Sequence, residues 1–321
     1  MTKMTMVQAL NLALKQEMEK DDSVILLGED VGRDGGVFRV TEGLMDQFGE
    51  QRVVDTPLAE SAIVGMSIGM AAYGLKPVCE IQFSGFSYQN FHQIENHAAR
   101  LRQRSQGRYP MSLVLRAPYG GGVRALEHHS ESREAYWAHT PGLKMVIPSG
   151  PRNARALMVS AIRDPDPVIF FEHKNLLGNK CEVPDGEYVL PLGQAAVLRE
   201  GKDATIIALA AMVPRALKAA ETLAAEHGIS ATVIDLRCLV PLDTRTILEH
   251  SARTGRVFTV EENPRLCGWG AEVVSIIQEE AFSSLKGPMV RITTPHIPLP
   301  AADRLEDEVI PSVARIIIDV R

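Results

Sequence analysis

Apolar residues occur along this chain in two patterns, and the two patterns alternate almost from end to end. Over residues 5–20 they recur three and four positions apart, which places them on one face of a helix and predicts a helix there. The run Val24–Leu27 is short and continuously apolar, which is typical of a strand buried on both faces, and it ends at Gly28. This alternation predicts an α/β fold with mainly parallel sheets flanked by helices.

The alternation divides into two series. The first predicts helices over 60–73, 86–104 and 151–163 and strands over 77–83, 112–116, 144–147 and 168–171. The second predicts strands over 204–210, 231–236, 257–261 and 289–293 and helices over 212–227, 243–253 and 270–285. Asparagine, glycine and proline crowd between Lys174 and Gly193, which is typical of a connection. We therefore predict two consecutive α/β domains, residues 1–180 and 196–321, joined by a linker over 181–195.

Composition and charge argue against several classes of function. The chain has 321 residues, with 34 Lys and Arg against 40 Asp and Glu, whereas nucleic-acid binding favours clustered positive charge. Its longest apolar run, Ile206–Val213, is far shorter than the roughly 20 residues that span a bilayer. The N-terminus lacks the apolar core of a signal peptide, so we expect a cytoplasmic protein without nucleic-acid or membrane partners. The cysteines are far apart with no CxxC pair, which predicts reduced thiols at Cys79, Cys181, Cys238 and Cys267.

Common ligand-binding motifs of α/β proteins are missing from the sequence. There is no P-loop, and no GxGxxG motif opens a helix after a strand. Gly120–Gly122 is better explained as a turn whose backbone approaches another group closely. The glycines of the 60–73 helix favour close packing against a sheet or another helix. His92 and His97 are five residues apart, which is off the shared face that a helical metal pair needs.

Two segments carry side chains that could take part in chemistry. Glu60 begins an otherwise small and apolar helix, where an acidic residue can simply complement the helix dipole. Burial among apolar groups favours the protonated form of a carboxyl group, however, and would suit Glu60 to donate a proton. His129 follows the glycine turn in a loop, where a histidine taken alone is usually a solvated surface residue.

Ten short motifs, read together, make the chain similar to a known family. They cover nearly the whole chain in the family's order and spacing, and they resemble the β subunits of the thiamine-diphosphate-dependent 2-oxo acid dehydrogenases. These are the decarboxylating first components of the pyruvate and branched-chain complexes. The matching runs are Gly28–Gly32, Gly35–Phe38, Asp55–Glu60, Glu80–Phe83, Ala117–Gly122, His129–Ser130, Pro141–Lys144, Val189–Gly193, Asp235–Arg237 and Pro241–Asp243.

The resemblance implies a fold and an assembly. The first domain would be a transketolase-like pyrimidine-binding domain and the second a transketolase C-terminal-type domain. Family members are heterotetramers of two α and two β chains, with thiamine diphosphate at each α–β interface. In the family the α chain carries the GDG…N motif that holds magnesium and the diphosphate. This chain has no such motif, so it would supply half of a site that is active only with the α subunit.

The resemblance also implies roles for individual residues. Glu60 matches the carboxyl group that bonds to a pyrimidine nitrogen and helps the cofactor to lose its thiazolium proton. His129 matches a histidine that assists acyl transfer to a lipoyl group of the second component. Glu29 matches a member of an acidic channel between the two active sites. The positions that line the pyrimidine and the substrate are matched by Leu58, Gln82 and Phe86.

Two further correspondences concern a cation and a docking contact. In some relatives, backbone carbonyls and one carboxylate hold potassium, and Asp166 stands where a related chain supplies Asn. In a related bacterial chain, an Asp near residue 296 and the C-terminal carboxylate receive basic residues of the second component. Here that position is His296, and the chain ends at Arg321. The residues that correspond to the potassium site are Met111, Leu113, Val114, Ala161 and Asp164.

The implied activity is decarboxylation of a 2-oxo acid, with pyruvate as the expected substrate and a lipoyl acyltransferase as the second component. A branched-chain 2-oxo acid or acetoin is the alternative substrate within the family. Residues of this chain do not decide among the three, because the α chain supplies part of the substrate wall. An alternative of another class is a non-catalytic cofactor half-site, against which the intact Glu60, Gln82 and His129 argue. A single-chain transketolase-like enzyme in its usual form is excluded by length and by the missing diphosphate motif.

Overall fold

The computed structural model describes residues 1–321, which form two compact units. Unit 1 comprises Met1–Tyr119 and Tyr136–Leu192, and unit 2 comprises Gly120–Ala135 and Gly193–Arg321. A segment of 16 residues between two parts of unit 1 therefore belongs to unit 2.

The helices and strands alternate in both units, as the periodicity of apolar residues predicts. Up to residue 192 the elements are β1 (Thr2–Thr5), α1 (Met6–Lys20), β2 (Val24–Gly28), α2 (Leu44–Phe48), β3 (Val53–Asp55), α3 (Glu60–Ala72), β4 (Lys76–Glu80), α4 (Ala99–Arg104), β5 (Val114–Tyr119), α5 (Glu127–Ser130), α6 (Glu134–Ala138), β6 (Lys144–Val146), α7 (Pro151–Arg163), β7 (Val168–His173) and β8 (Lys180–Val183). The remaining elements are β9 (Ala196–Arg199), β10 (Ala204–Ala208), α8 (Met212–His227), β11 (Ala231–Asp235), β12 (Cys238–Val240), α9 (Thr244–Thr254), β13 (Val257–Pro264), α10 (Trp269–Ala281), β14 (Val290–Thr294), α11 (Asp303–Val309) and α12 (Val313–Val320).

Six strands of unit 1 form a parallel sheet in the order β6-β7-β5-β4-β2-β3. Every residue of β2, β5 and β7 is buried, because helices cover the sheet and leave no face to solvent. The helix α1 begins with a capping box in which Thr5 and Gln8 exchange hydrogen bonds between side chain and backbone. The carboxyl ends of the parallel strands, which carry the matching motifs, meet along one edge of this sheet.

A small antiparallel pair, β1 with β8, was not predicted. Its strands have only four residues each and are mostly exposed or half-buried, so no buried apolar run marks them. β8 overlaps the beginning of the predicted linker, residues 181–195, and unit 1 extends to Leu192.

The prediction of one long helix over 86–104 is wrong, because three short helices of different types cover this range. Residues Ser84–Asn90 form a 3₁₀ helix, Gln93–Ala98 form a π-helix, and only Ala99–Arg104 form a separate α-helix. The Ser87 hydroxyl donates to the carbonyl of Ser84, and such side chain–backbone bonds compete with the α-helical register. The apolar pattern alone does not distinguish these three helical windings.

Unit 2 has a five-stranded sheet in the order β14-β13-β10-β11-β9. All neighbours are parallel except β9, which pairs antiparallel with β11. The Asp243 carboxylate caps α9 by accepting a hydrogen bond from the Thr246 backbone N–H, which fixes where that helix begins. The predicted α/β class with mainly parallel sheets is thus confirmed in both units. None of the helices combines the length and the apolar character needed to cross a membrane.

Candidate active site

Glu60 is the first residue of α3, and its side chain is almost completely buried, with 4% exposure. The residue before it, Ala59, offers no side chain to cap the helix. The Glu60 Oε2 atom is shielded from solvent and has no hydrogen-bond partner in the chain. A buried carboxylate oxygen without a partner costs free energy, so it marks a position that a bound group could complete.

Glu29 directly follows β2 and is also buried. Burial raises the pKa of Glu29 above its ordinary value, and the negative charges of Glu60 and Asp30 raise it further. The structure thus brings together two buried carboxyl groups, Glu29 and Glu60, that sequence reasoning alone did not connect. Two neighbouring carboxylates repel each other, and this repulsion favours retention of a proton on one of them.

The loop after β2 is fixed by neighbouring polar groups. The Asp55 carboxylate accepts hydrogen bonds from the Gly32 N–H at 2.6 Å and from the Arg33 N–H at 3.1 Å. At Gly28, a Cβ atom would lie 2.8 Å from the Glu80 carbonyl oxygen, so only glycine permits this close approach of two strands. Asp55 thus holds the loop that carries Glu29, a positioning role that sequence reasoning did not single out, although Asp55 lies in a matching motif.

The remaining predicted residues of unit 1 have different surroundings. Gln82 donates from Nε2 to the Asp30 carboxylate at 3.0 Å, which connects it to the loop that carries Glu29. Phe86 packs edge to face on Phe83, with 5.7 Å between ring centroids. Leu58 is 77% exposed, so nothing in its own unit covers it.

His129 belongs to unit 2, whereas the other predicted site residues belong to unit 1. It lies on the four-residue helix α5, which begins after Leu126, a non-glycine residue with φ of 64°. Its side chain is half-buried. The predicted catalytic pair is therefore divided between the two units.

The predicted cation site also lies in unit 1. The Asp164 carboxylate is bound by the Lys144 ammonium group, with 2.7 Å from Nζ to each oxygen. It also accepts the Asp166 backbone N–H at 2.9 Å. Asp164 therefore already has a cationic partner, and the potassium site of Met111, Leu113, Val114, Ala161 and Asp164 stays a prediction.

A second cluster of charges lies inside the sheet of unit 1. The Arg116 guanidinium, on β5, donates two bonds of 2.7 Å to Glu172 and a further bond to Glu80. All three side chains are buried. Burial raises the pKa of Glu80, and the nearby Arg116 only partly offsets this. Burial alone would lower the pKa of Arg116, but Glu172 and Glu80 together raise it above its usual range.

The two histidines that seemed too far apart for a shared face are in contact. The π-helix Gln93–Ala98 closes hydrogen bonds over five residues, and the rings of His92 and His97 meet edge to face at 5.2 Å. Their α-helical spacing predicts no contact between the two rings, and the π-helix makes that prediction wrong. No group of three or more His, Cys, Asp or Glu side chains that could hold a metal ion occurs in the chain.

The cysteines are all free thiols. Burial raises the pKa of Cys79 to about 12 and that of Cys238 to about 11. Because the thiolate is the reactive form, neither is suited to act as a nucleophile near neutral pH.

The glycines of α3 do not pack closely against the rest of the chain. Nothing lies within 4 Å of a Cβ atom placed at Gly65 or Gly69. The predicted packing against a sheet or helix is therefore not found inside this chain, where Gly65 is half-buried, Gly69 is exposed, and the buried positions of α3 are occupied by other residues.

Comparison with family models matches both units. The family described as "Transketolase, pyrimidine binding domain" matches residues 2–180, and "Transketolase, C-terminal domain" matches residues 193–316. Each model thus covers one of the two α/β sheets.

Curated relatives match over almost their full length. The chain is 49% identical to the 2-oxoisovalerate dehydrogenase subunit beta of Bacillus subtilis (strain 168), over 95% of this chain and 94% of the relative. It is 47% identical to the pyruvate dehydrogenase E1 component subunit beta of Acholeplasma laidlawii, over 93% of this chain and 91% of the relative. The corresponding pyruvate dehydrogenase subunit of Bacillus subtilis (strain 168) is 48% identical, over 94% and 92%.

A solved structure has the same fold. A split-gene transketolase, described as an inactive β4 tetramer, superposes with a TM-score of 0.82 at 23% identity, covering 99% of this chain and 97% of that one. At this identity the likeness concerns the fold alone.

Proposed function

Because this chain belongs to the family of the β subunits of the 2-oxo acid dehydrogenases, we propose that it is half of an enzyme that decarboxylates pyruvate on thiamine diphosphate. It passes the acyl group to a lipoyl group of an acyltransferase second component. The observation that carries the proposal is the buried Glu60 carboxyl group with one oxygen unpartnered. A helix-start carboxylate with a purely structural role would have its oxygens solvated or bonded to backbone N–H groups.

The residues of unit 1 fit the pyrimidine end of this cofactor. The free Oε2 of Glu60 offers the single polar contact that a ring nitrogen needs, in a place dry enough to keep a shared proton. When bound, the cofactor supplies the electron sink that accepts the electron pair left by departing carbon dioxide. Gln82, Phe86 and the exposed Leu58 would line the ring and the substrate, because they match family positions with that role.

Glu60 is assigned the proton transfer at the ring nitrogen. It accepts or returns a proton there, which is a general acid–base role worth about 10²–10⁴-fold in rate. Glu29 is assigned to hold a second proton beside it, because its raised pKa makes the protonated form more accessible than in water. The two groups would thus exchange protons without placing two full negative charges side by side.

The diphosphate end of the site is assigned to an α subunit. The sequence has no GDG…N motif that would hold magnesium and the diphosphate, so we expect two α and two β chains in the active enzyme. Potassium is assigned to the carbonyl groups near Asp164, where Lys144 already neutralises part of the charge. The isolated chain should bind thiamine diphosphate weakly, and tight magnesium-dependent binding in calorimetry would contradict a half-site.

His129 is assigned to acyl transfer. An imidazole can act as a general acid, so His129 could donate a proton to the sulfur that leaves when the lipoyl disulfide opens. His129→Ala should therefore slow acyl transfer to a lipoyl domain much more than decarboxylation measured with an artificial electron acceptor. Equal losses in the two assays would assign His129 to cofactor or substrate binding instead.

The substrate is tested by co-expression with candidate α chains and assays on several 2-oxo acids. We expect no turnover by the chain alone and the highest kcat/KM with pyruvate in the assembled enzyme. A branched-chain 2-oxo acid is the second candidate, because a 2-oxoisovalerate dehydrogenase subunit is 49% identical to this chain. If kcat/KM is higher with 3-methyl-2-oxobutanoate or with acetoin than with pyruvate, that compound and not pyruvate is the substrate.

A further inference from the structure

A carboxylate on β13, that of Glu262, holds the segment that carries His129, residues 120–135. The Gly121 N–H donates to Glu262 Oε1 at 2.6 Å, and the Ser132 hydroxyl donates to the same oxygen at 2.9 Å. One carboxylate oxygen therefore joins two points of the segment that flank His129. This contact closes the segment into a loop.

A second carboxylate, on α11, holds the beginning of the same segment. Glu306 is 1% exposed, and its Oε1 accepts the Gly122 N–H at 2.5 Å. A Cβ atom at Gly121 would lie 2.5 Å from Ile310 and 2.9 Å from Glu306, so the glycine turn is needed for this approach. The Arg124 guanidinium adds an exposed ion pair with Asp307 at 2.9 Å.

The segment depends on these contacts for its conformation. Arg124 and Leu126 have φ of 56° and 64°, a region that non-glycine residues occupy only when their surroundings enforce it. The helix α5 has four residues and no side-chain cap, and so short a helix is unstable without tertiary contacts. Hydrogen bonds to an ionised carboxylate are roughly twice as strong as neutral ones, which makes Glu262 and Glu306 the strongest anchors of the segment.

We propose that Glu262 and Glu306 are positioning residues that fix the backbone carrying His129 for acyl transfer to the lipoyl group. The inference rests on the proposed role of His129. Neither carboxylate needs to contact substrate or cofactor, since both act through the segment. A displacement of about 1 Å in a catalytic group can cost up to 10²-fold in rate, so loss of an anchor has a measurable effect.

The test uses the enzyme assembled with its α subunit. Glu306→Gln and Glu262→Gln keep the size and one acceptor oxygen but remove the charge. We expect each variant to lower kcat for acyl transfer to a lipoyl domain by about tenfold. The rate of decarboxylation, measured with an artificial electron acceptor, should stay within about twofold of the wild-type rate. Ser132→Ala removes one donor and leaves both carboxylates, so a loss of about threefold is expected, and it serves where a glutamate variant does not fold. The matched control is Glu308→Gln, an exposed residue of the same helix that pairs with Arg304 and should change nothing.

Hydrogen–deuterium exchange over residues 120–135 provides a readout independent of activity. We expect faster exchange in both glutamine variants than in wild type and the Glu308→Gln control, and unchanged exchange would overturn the inference. Because the carboxylates are proposed to act through His129, adding Glu306→Gln to His129→Ala should lower acyl transfer no further. A further loss in that double variant would also overturn it.

The same set of variants separates failure of the inference from failure of the proposed function. If His129→Ala slows acyl transfer while neither glutamine variant does, the positioning role is overturned and the role of His129 stands. If His129→Ala leaves acyl transfer unchanged, the proposed role of His129 fails, and the positioning role fails with it.

Discussion

Unit 1 contains two groups of buried carboxyl side chains, which differ in whether their oxygens have partners. In the sheet, Glu80 and Glu172 are both bound by the Arg116 guanidinium. At the start of α3, the Glu60 Oε2 has no partner, and Glu29 beside it has a raised pKa caused by burial and by neighbouring negative charges. The first group is satisfied within the chain, whereas the second is completed only by something that binds.

The contrast shows how burial alone fails to identify an active site. Both groups are buried and both lie near the carboxyl ends of parallel strands. What distinguishes these two groups is the cation: Glu80 and Glu172 share the Arg116 guanidinium, whereas Glu60 Oε2 has no partner and can take up a proton or a ligand.

Arg116→Met should have the largest effect on stability. It keeps the apolar stem but leaves Glu80 and Glu172 buried without a cation, and breaking a buried ion pair costs about 3–5 kcal/mol. We expect the free energy of unfolding, from urea denaturation followed by circular dichroism, to fall by that amount. Arg304→Met, which removes an exposed pair with Glu308, is the matched control and should cost less than about 1 kcal/mol. If both variants lower the free energy of unfolding by the same amount, the cluster has no special structural role.

Glu60→Gln should have the largest effect on activity. Glutamine keeps the size and can still form a hydrogen bond, but it cannot exchange a proton with a ring nitrogen. The variant should assemble with the α subunit, bind cofactor and lose at least about 10²-fold in activity. The direct measurement is hydrogen–deuterium exchange at the thiazolium carbon in the assembled enzyme. The control is Glu272→Gln, which changes a first-turn acid of α10 outside the proposed site. Wild-type exchange in Glu60→Gln would reduce Glu60 to a helix-start carboxylate.

Glu29→Gln should stabilise the chain in a way that depends on pH. A raised carboxyl pKa means that the folded state binds the proton more tightly than the unfolded state does. Ionised Glu29 therefore destabilises the fold once the pH rises above 4.5, the ordinary pKa of this carboxyl group. Glutamine removes this cost. At pH 8 we therefore expect a higher Tm for Glu29→Gln than for the wild type. The gain should shrink as the pH falls towards 4.5 and disappear below it in calorimetric scans, and a gain independent of pH would have another cause.

The smallest expected effect concerns Asp164, whose carboxylate is already paired with Lys144. If the neighbouring carbonyl groups hold potassium, the wild type should be more stable in potassium chloride than in sodium chloride, by about 1 kcal/mol at potassium concentrations several times Kd. Asp164→Asn should abolish the difference between the two salts. Because the lost Lys144 pair affects both salts alike, it does not disturb the comparison, and equal stability of the wild type in both salts would argue against the site.

The parts of the fold that sequence reasoning found are those recorded in local patterns. The buried strands β2, β10 and β11 are short apolar runs, and α7 and α8 were predicted with the bounds that the structure shows. Glu60 could be singled out because it stands before an apolar helix. Its importance, however, was recognisable only through the family motif around it.

Other features could not be predicted because their partners are distant or their geometry is unusual. Glu262 and Gly121 are 141 residues apart, and no local pattern marks either as a partner of the other. The contact of His92 with His97 depends on a π-helical turn that looks like an α-helix in the apolar pattern. β8 is too exposed to be distinguished from a connection.

The placement of residues 120–135 in unit 2 has a consequence for how the chain is made. The segment leaves the ribosome well before its anchors, because Glu262 and Glu306 follow Gly121 and Gly122 by 141 and 184 residues. At about 5–20 residues per second, the wait is roughly 10–40 s. During that time the sheet of unit 1 can form while the loop with His129 has nothing to bind. The histidine therefore reaches its final geometry only when the last elements of the chain have been synthesised, and any fragment that stops before β13 carries it without support.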